Sequence, residues 1–426
     1  MIKLYETNSF LKECKMQVKS SWENNGKYYI TVDQSIFFPE EGGQYADTGI
    51  VRIVELPKNL ENSDCEDAAE NVSAGLEVKL IDGQIVDGEV VYAVSSYLPV
   101  GCCLEGKLDW DKRFDRMQNH SGEHILTGVI HNKYGFNNVG FHLSDDGFVT
   151  LDLDGVLSYE QVIEMEAIAN KVIYGDVPIT DSYPNAEELK TIDYRSKIEI
   201  DGQVRLITVG DEEETIDICA CCAPHVKSTG QIGIIKVISV INYKKGIQIA
   251  ILCGKRALEY INNEHSMMTS LARFLSTAPE NVEKIVKSQQ DDIISLHAKL
   301  SVAVEGKLID EIVRREALIS SGMPYDYEMG LIFTGEDLTA ANMKNIFNAL
   351  ADRFKGYIGI FVGNDESGYR YNAGGRGLDA RELASAMREK LQAKGGGSPE
   401  MIQGRVTATK QCIESFFTEC NKCVSD

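Results

Sequence analysis

The segment RFDRMQNHSGEHILTGVIHNKYG, residues 113 to 135, governs how the rest of the chain is read. His120 and His124 stand four apart in it, Met117, Ile125, Val129 and Ile130 fall at helical spacing, and Gly135 marks a stop. Residues i and i+4 share one helix face, so both imidazoles can converge on a single point. Two neutral imidazoles one turn apart are half of a tetrahedral zinc site, and the remaining ligands must come from elsewhere. An ordinary pair of surface or core histidines has the same spacing, so the second half-site carries the decision.

That half-site lies downstream in QVRLITVGDEEETIDICACCAPHVKSTGQIG, residues 203 to 233, where Cys221 and His225 form C-x3-H. A thiolate and an imidazole complement two helical histidines in charge and geometry, and together they predict one Zn2+ bound by His120, His124, Cys221 and His225. Cys219 and Cys222 are near enough to replace Cys221, so spacing alone leaves the thiolate open. Cysteines packed as small buried hydrophobes are common, but two half-sites in one chain make that explanation weak here. His131 and His142 lack a paired spacing and read as structural.

Upstream, residues 1 to 110 carry short β-like runs, among them KYYITVDQSIFF (27–38), GIVRIVEL (49–56), LEVKLIDG (76–83) and EVVYAVS (89–95). Short strands broken by Gly and Asp predict an antiparallel barrel or sandwich. The polar stretch 57 to 75, with Cys65, reads as an acidic surface loop without chemistry. After the first long strand, SIFFPEEGGQYADTG (35–49) uses Pro39, Gly42 and Gly43 to force a turn presenting Gln44. Paired glycines admit a ligand close to the backbone, and a glutamine amide can orient a water or a carbonyl. A hairpin turn with a surface glutamine is the simpler account of GGQ taken alone.

Between the half-sites, GFHLSDDGFVTLDLDG (140–155) predicts a hairpin, and Ser158 with Gln161 a capping box ahead of an apolar helix. Beyond residue 255, helices run to about 321 with a break near Ala278 and Pro279. Apolar residues at 282, 286, 293, 296, 300 and 303, then at 304, 308 and 312, fit either a helical hairpin or dimer seam or an intramolecular core stripe. The last part alternates strands and helices. The expected class is therefore α+β multidomain: an N-terminal antiparallel β-barrel (1–110), an α+β zinc-binding core (111–255), a helical linker (256–321) and a C-terminal α/β domain (322–426).

The net charge of −22 argues against unspecific attraction to nucleic acid, which depends on Lys and Arg. Residues 341 to 410 reverse that balance, with 11 Lys or Arg against 7 Asp or Glu. Eleven cysteines without an export signal read as reduced thiols or metal ligands, and no run approaches a membrane span, so the expected address is cytoplasmic.

Four pieces, in order, resemble the editing domain of alanyl-tRNA synthetase and its free-standing AlaX relatives. FFPEEGGQYADTG is similar to the family's glycine-rich Gln loop, RMQNHSGEHIL to its HxxxH helix, CCAPHV to its Cys-Gly-Gly-Thr-His-Val element, and TGQIGIIKVISV to the strand that follows. The register of the third piece selects Cys221 with His225. Ala223 and Pro224 replace the usual Gly and Thr, so the backbone there is open to difference. KGGGSPEMIQG (394–404) resembles the DHH-associated domain that ends alanyl-tRNA synthetases and the long AlaX form.

The resemblance implies an ATP-independent ester hydrolase that deacylates Ser-tRNA(Ala), and Gly-tRNA(Ala) as a second substrate, in trans. With no segment ahead of the editing region, the chain is not expected to make aminoacyl-tRNA. Gln44 is the candidate for orienting water or ester, and Ser35, where the family usually has Thr, for recognising the serine hydroxyl. A homodimer through the linker and C-terminal domain fits the same picture. The competing class is a non-catalytic zinc-stabilised RNA-binding protein, which would not need the Gln loop. A DHH-class phosphoesterase would need an Asp-His-His motif that the chain lacks.

Overall fold

Alternating burial along the N-terminal strands explains the first half of the architecture. The strands are β1 (Glu13–Asn24), β2 (Lys27–Val32), β3 (Gly49–Glu55), β4 (Glu77–Val86), β5 (Glu89–Val94) and β6 (Cys103–Leu108). Val90, Tyr92 and Val94 of β5 and Leu104 and Leu108 of β6 turn inward, as a period of two demands. The six strands pair in the order β1-β2-β5-β4-β3-β6, and β6 returns to β1 to close a barrel. Register shifts after Val18, Ile53 and Leu80 mark bulges that bend the strands for closure. This computed structural model describes residues 1–57, 72–143, 147–196, 202–211 and 214–425, so most of the acidic stretch 57 to 75, with Cys65, lies outside the described residues.

Helix α1 (Trp110–Tyr134) leaves the barrel directly. Asp109 caps it by accepting from the Lys112 N–H, and Gly135 closes it at φ 73°. From Arg113 onward the helix is buried on almost every side. Around it lie β7 (Asn138–His142), β8 (Val149–Leu153), α2 (Tyr159–Gly175), β9 (Ile179–Ser182), β10 (Leu206–Gly210), β11 (Thr215–Ala220), β12 (Ile235–Tyr243) and β13 (Gly246–Cys253). Two antiparallel sheets result, β12-β13-β8-β7 and β9-β10-β11. Ser158 and Gln161 form the expected capping box of α2. One apolar core joins Ile125, Leu126 and Ile130 of α1 to Val162 and Met165 of α2 and to Ile249 and Ile251 of β13.

Two compact units make up the chain, Met1–Met268 and Thr269–Asp426. The first contains both the barrel and the histidine-bearing core, and its end falls inside α3 (Gly254–Phe274), later than residue 255. Helix α4 (Val282–Ser320) follows after a turn at Pro279–Asn281. Its apolar stripe divides: Val304, Leu308 and Ile312 are buried, while Val286, Ile293, Leu296 and Leu300 are exposed.

The second unit is built on a five-stranded sheet of β14 (Leu331–Thr334), β15 (Ile358–Asn364), β16 (Gly368–Gly374), β17 (Lys394–Gly397) and β18 (Met401–Val406), ordered β14-β15-β16-β18-β17. Ile358, Ile360 and Val362 pack on α5 (Ala340–Ala351) and the end of α4, whereas Phe361 faces the core formed with α6 (Ala380–Leu391) and α7 (Lys410–Ser425). Strand alternation thus feeds two cores, one per face. The KGGGSPEMIQG segment forms the β17–β18 hairpin.

Candidate metal centre

Four side chains from two segments of the sequence, α1 and the Cys221–His225 loop, meet at one point. One ligand atom each from His120, His124, Cys221 and His225 lies within 4.8 Å of the others. The Cys221 Sγ sits 3.5 Å from His120 Nε2 and 3.4 Å from His225 Nε2. A tetrahedral Zn2+ with ordinary bonds to nitrogen and sulfur separates such a pair by about 3.6 Å. The donor set and its spacing therefore fit a tetrahedral ion.

Each imidazole is fixed from behind. The Nδ1 atoms of His120, His124 and His225 lie 2.9 Å from Gln44 Oε1, 3.2 Å from Asp217 Oδ2 and 3.0 Å from Ser121 Oγ. Gln44 Oε1 and the Asp217 carboxylate can only accept, so His120 and His124 donate from Nδ1, which leaves Nε2 as the atom available to the centre. Arg195 holds Asp217 in turn, through Nε at 2.7 Å and Nη2 at 2.9 Å, and its Nη2 also donates to Thr127 Oγ1. The grouping of His124, Asp217 and Cys219 within ligand distance is thus the outer support of the same centre.

Glycine makes this convergence possible at two points. A Cβ on Gly128 would meet Asp217 Cβ at 2.8 Å, so only glycine lets β11 lie that close to α1. On the Gln loop, Gly43 has φ +84° and its Cβ would strike Phe141 O at 2.4 Å. The loop is pinned there by the Leu143 N–H to Gly43 O bond of 2.9 Å. Its other end is tied to α1 by Asp47, which accepts from the Phe38 N–H and pairs with buried Arg113. Gln44 is fully buried, and its Nε2 is a donor without a partner among the described residues.

Electrostatics separate the three neighbouring thiols. Burial opposes ionisation of Cys221, but His120, His225 and His124 outweigh it and hold its thiol well below the ordinary range. Burial pushes Cys219 up to about 11 and Cys222, which also lies beside Cys221 and Glu41, higher still. Of the three, Cys221 is the thiol whose surroundings favour the thiolate. Burial lowers His225 to about 3, which keeps it neutral and ready to ligate. His124 is raised against its burial by Cys219 and Asp217; with Cys219 neutral at pH 7, Asp217 is the working partner.

Of the residues singled out in the sequence, the structure joins Gln44 to the quartet through His120. Ser35 lies just past the second barrel strand, on a two-residue strand, Gln34–Ser35, paired with Ile2–Lys3; it is buried, 3.0 Å from the Phe37 N–H and 2.8 Å from the Tyr92 hydroxyl. Tyr92 has one proton and a second neighbour, Phe37 O at 2.6 Å, which can only accept. Ser35 consequently gives its proton to Tyr92, accepts from Phe37 and retains one lone pair. His131 bonds Phe136 O and His142 packs on Tyr45, both outside the centre. Asp217, Ser121, Arg195 and Glu123 were not legible in advance. Residues 217, 219 and 221 alternate onto one strand face, a signal that could have exposed Asp217. Glu123 is buried, with Oε2 4.0 Å from His124 Nε2 and Oε1 accepting from Thr127.

Comparison with known proteins agrees with this geometry. Residues 204–248, which include Cys221 and His225, match the family described as the threonyl and alanyl tRNA synthetase second additional domain. The chain is 25% identical to the alanyl-tRNA editing protein AlaX-L of Pyrococcus horikoshii over 420 residues, 96% of each protein. Along nearly its whole length it is thus similar to an AlaX-type alanyl-tRNA editing protein. It is also 27% identical to the alanyl-tRNA editing protein Aarsd1-B of Xenopus laevis over 66% of this chain and 65% of that one. The alanine–tRNA ligase of Pyrococcus abyssi is 26% identical over 97% of this chain, which spans 43% of the ligase. No described helix is long and apolar enough to cross a membrane.

Proposed function

We propose that the chain hydrolyses the ester of mischarged Ser-tRNA(Ala), with Gly-tRNA(Ala) as a second substrate, at a Zn2+ held by His120, His124, Cys221 and His225. The observation that carries this reading is the convergence of four ligand atoms with the unpartnered, fully buried amide N–H of Gln44 at one of them. When bound, zinc polarises a carbonyl oxygen or lowers the pKa of a coordinated water toward ~7. Gln44 uses Oε1 to hold the His120 ring and offers Nε2–H to the ester carbonyl or to the attacking water. Burial of the site excludes bulk water and strengthens that bond.

Alanine is smaller than serine, so size cannot exclude it and the hydroxyl itself must be recognised. A site built to bond a hydroxyl rejects an analogue lacking it by ~10⁴ or more, because a buried polar group is left unpaired. The remaining lone pair of Ser35 is the acceptor we assign to that contact. Residues 322–426 serve tRNA capture, in keeping with the basic balance of residues 341–410. Release of labelled serine from Ser-tRNA(Ala), with Ala-tRNA(Ala) as control, tests the reading. Absence of serine release from zinc-loaded protein would overturn it.

A further inference from the structure

On another side of His225 lies a cavity of about 290 Å³ that the ester chemistry does not use. Ser9, Thr180, Asp181, Arg205 and Lys227 line it together with His225 itself, so the cavity and the quartet share that residue. Its wall is continuous with the metal-ligand loop: Ser9 Oγ donates to His225 O at 2.7 Å, and Arg205 Nη1 to Ala223 O at 2.8 Å and Cys221 O at 3.2 Å.

Two cations here are not neutralised in the usual way. Arg205 is nine-tenths buried, yet its Nε–H makes no hydrogen bond among the described residues, and Asp181 Oδ2 stands off from it at 3.9 Å. Lys227 is exposed; its ammonium lies 5.0 Å over the Phe10 ring and pairs with no carboxylate among the described residues. Glu6, the other acid on the wall, is already paired with Lys3 at 3.0 Å. The wall thus sets two cations against Asp181 alone, in a chain that carries 65 acidic and 43 basic residues. A buried N–H left open costs ~1–3 kcal/mol unless something accepts from it. An anion supplies that acceptor, and Asp181 and Thr180 beside it suit a sugar hydroxyl.

We propose that this cavity seats the ribose–phosphate backbone of the RNA acceptor end adjoining the ester, its phosphate on Lys227 and Arg205 Nε and a ribose hydroxyl on Asp181. The inference rests on reading the quartet as an aminoacyl-RNA site, which places an RNA backbone unit beside the residue that the two sites share. The volume suits one sugar–phosphate unit and is too small for a helical stem. Capture by the second unit and gripping of the terminus by the first are then separate functions.

The test uses the full-length, zinc-loaded protein and an uncharged acceptor-stem RNA ending in CCA, with a version whose last nucleotides are 2′-deoxy. Binding is measured across a salt series for wild type, Lys227→Ala, Asp181→Asn and Lys171→Ala, a lysine on the surface of α2. Lys227→Ala is expected to weaken RNA binding about tenfold near 0.1 M salt and lower the logarithmic salt slope by about one. Asp181→Asn is expected to narrow the preference for ribose over deoxyribose. KM for Ser-tRNA(Ala) rises with the same factor in Lys227→Ala, while kcat and zinc content hold. Equal effects of Lys227→Ala and Lys171→Ala would reduce the contact to general surface charge and overturn the proposal. So would weakened binding of adenosine monophosphate or inorganic phosphate with RNA binding intact, which would make the cavity a small-anion site. If wild type releases serine and Lys227→Ala is indistinguishable from it, this proposal alone falls. If wild type releases none but the RNA contrasts appear, the hydrolytic reading falls and the seat stands.

Discussion

Gln44 shows at the scale of one residue how little freedom the centre leaves its parts: one oxygen holds His120, and the nitrogen has no partner among the described residues. The four ligands are expected to bind about one zinc per chain. Metal analysis of the His120→Ala/His124→Ala double variant should show zinc lost, and full occupancy there would rule the site out. Cys221→Ala should lose metal as well, since the thiols of Cys219 and Cys222 are held neutral; retained zinc would pass the role to one of them. Ser35→Ala tests the hydroxyl contact. It removes one hydrogen bond to the substrate, ~0.5–1.5 kcal/mol, so Ser-tRNA(Ala) hydrolysis should slow by about tenfold at most with zinc content unchanged. An unaltered serine-to-alanine preference would leave Ser35 as a buried residue bonded to Tyr92.

At the scale of elements, the centre depends on how closely β11 approaches α1. Asp217 reaches His124 from β11 across the gap that Gly128 leaves, and Arg195 fixes the carboxylate from the far side. Partners that orient a metal-bound histidine are each worth ~10–100-fold in metal affinity. Asp217→Ala should therefore weaken zinc binding within that range in a competition titration with a chelator, while the HxxxH helix persists by circular dichroism. Gly128→Ala should do the same by forcing the strand outward, with a lowered Tm. Wild-type zinc affinity in both variants would mean that His124 is oriented by its helix alone.

At the scale of the whole molecule, the chain folds as two compact units, Met1–Met268 and Thr269–Asp426. Arg256, in the first turns of α3, pairs with Asp115 on α1 through Nε at 2.9 and 3.0 Å, so the helix start belongs to the editing core. A chain ending after Phe274 should keep that clamp and the metal, whereas one ending at Cys253 should bind zinc but melt earlier. If the second unit captures tRNA, the longer truncation should still deacylate at saturating substrate while needing more tRNA to saturate. Its salt slope should fall by roughly one for each phosphate that the second unit would have neutralised. Single-turnover hydrolysis beside a binding series in salt decides this: equal affinities and slopes would assign residues 275–426 another role.

The sequence by itself determined whatever is encoded within a few turns of chain. The HxxxH helix with its Gly135 stop, the Ser158–Gln161 capping box, the turn at Gly42–Gly43 and the strand–helix alternation after residue 322 all follow from local periodicity and local hydrogen bonds. It also paired the two half-sites, because their ligand chemistry is complementary. Spacing left three thiols open and only a likeness of register picked Cys221; the tertiary structure supplies the physical reason, imidazoles brought in from α1 that favour its thiolate. It alone divided the stripe of α4 into an exposed half at Val286 to Leu300 and a buried half at Val304 to Ile312, because a helix records which face is apolar but not what lies opposite. The partners behind each histidine were hidden for the same reason: Gln44, Asp217 and Ser121 reach Nδ1 only after the barrel loop, β11 and the Cys221–His225 loop have packed on one helix.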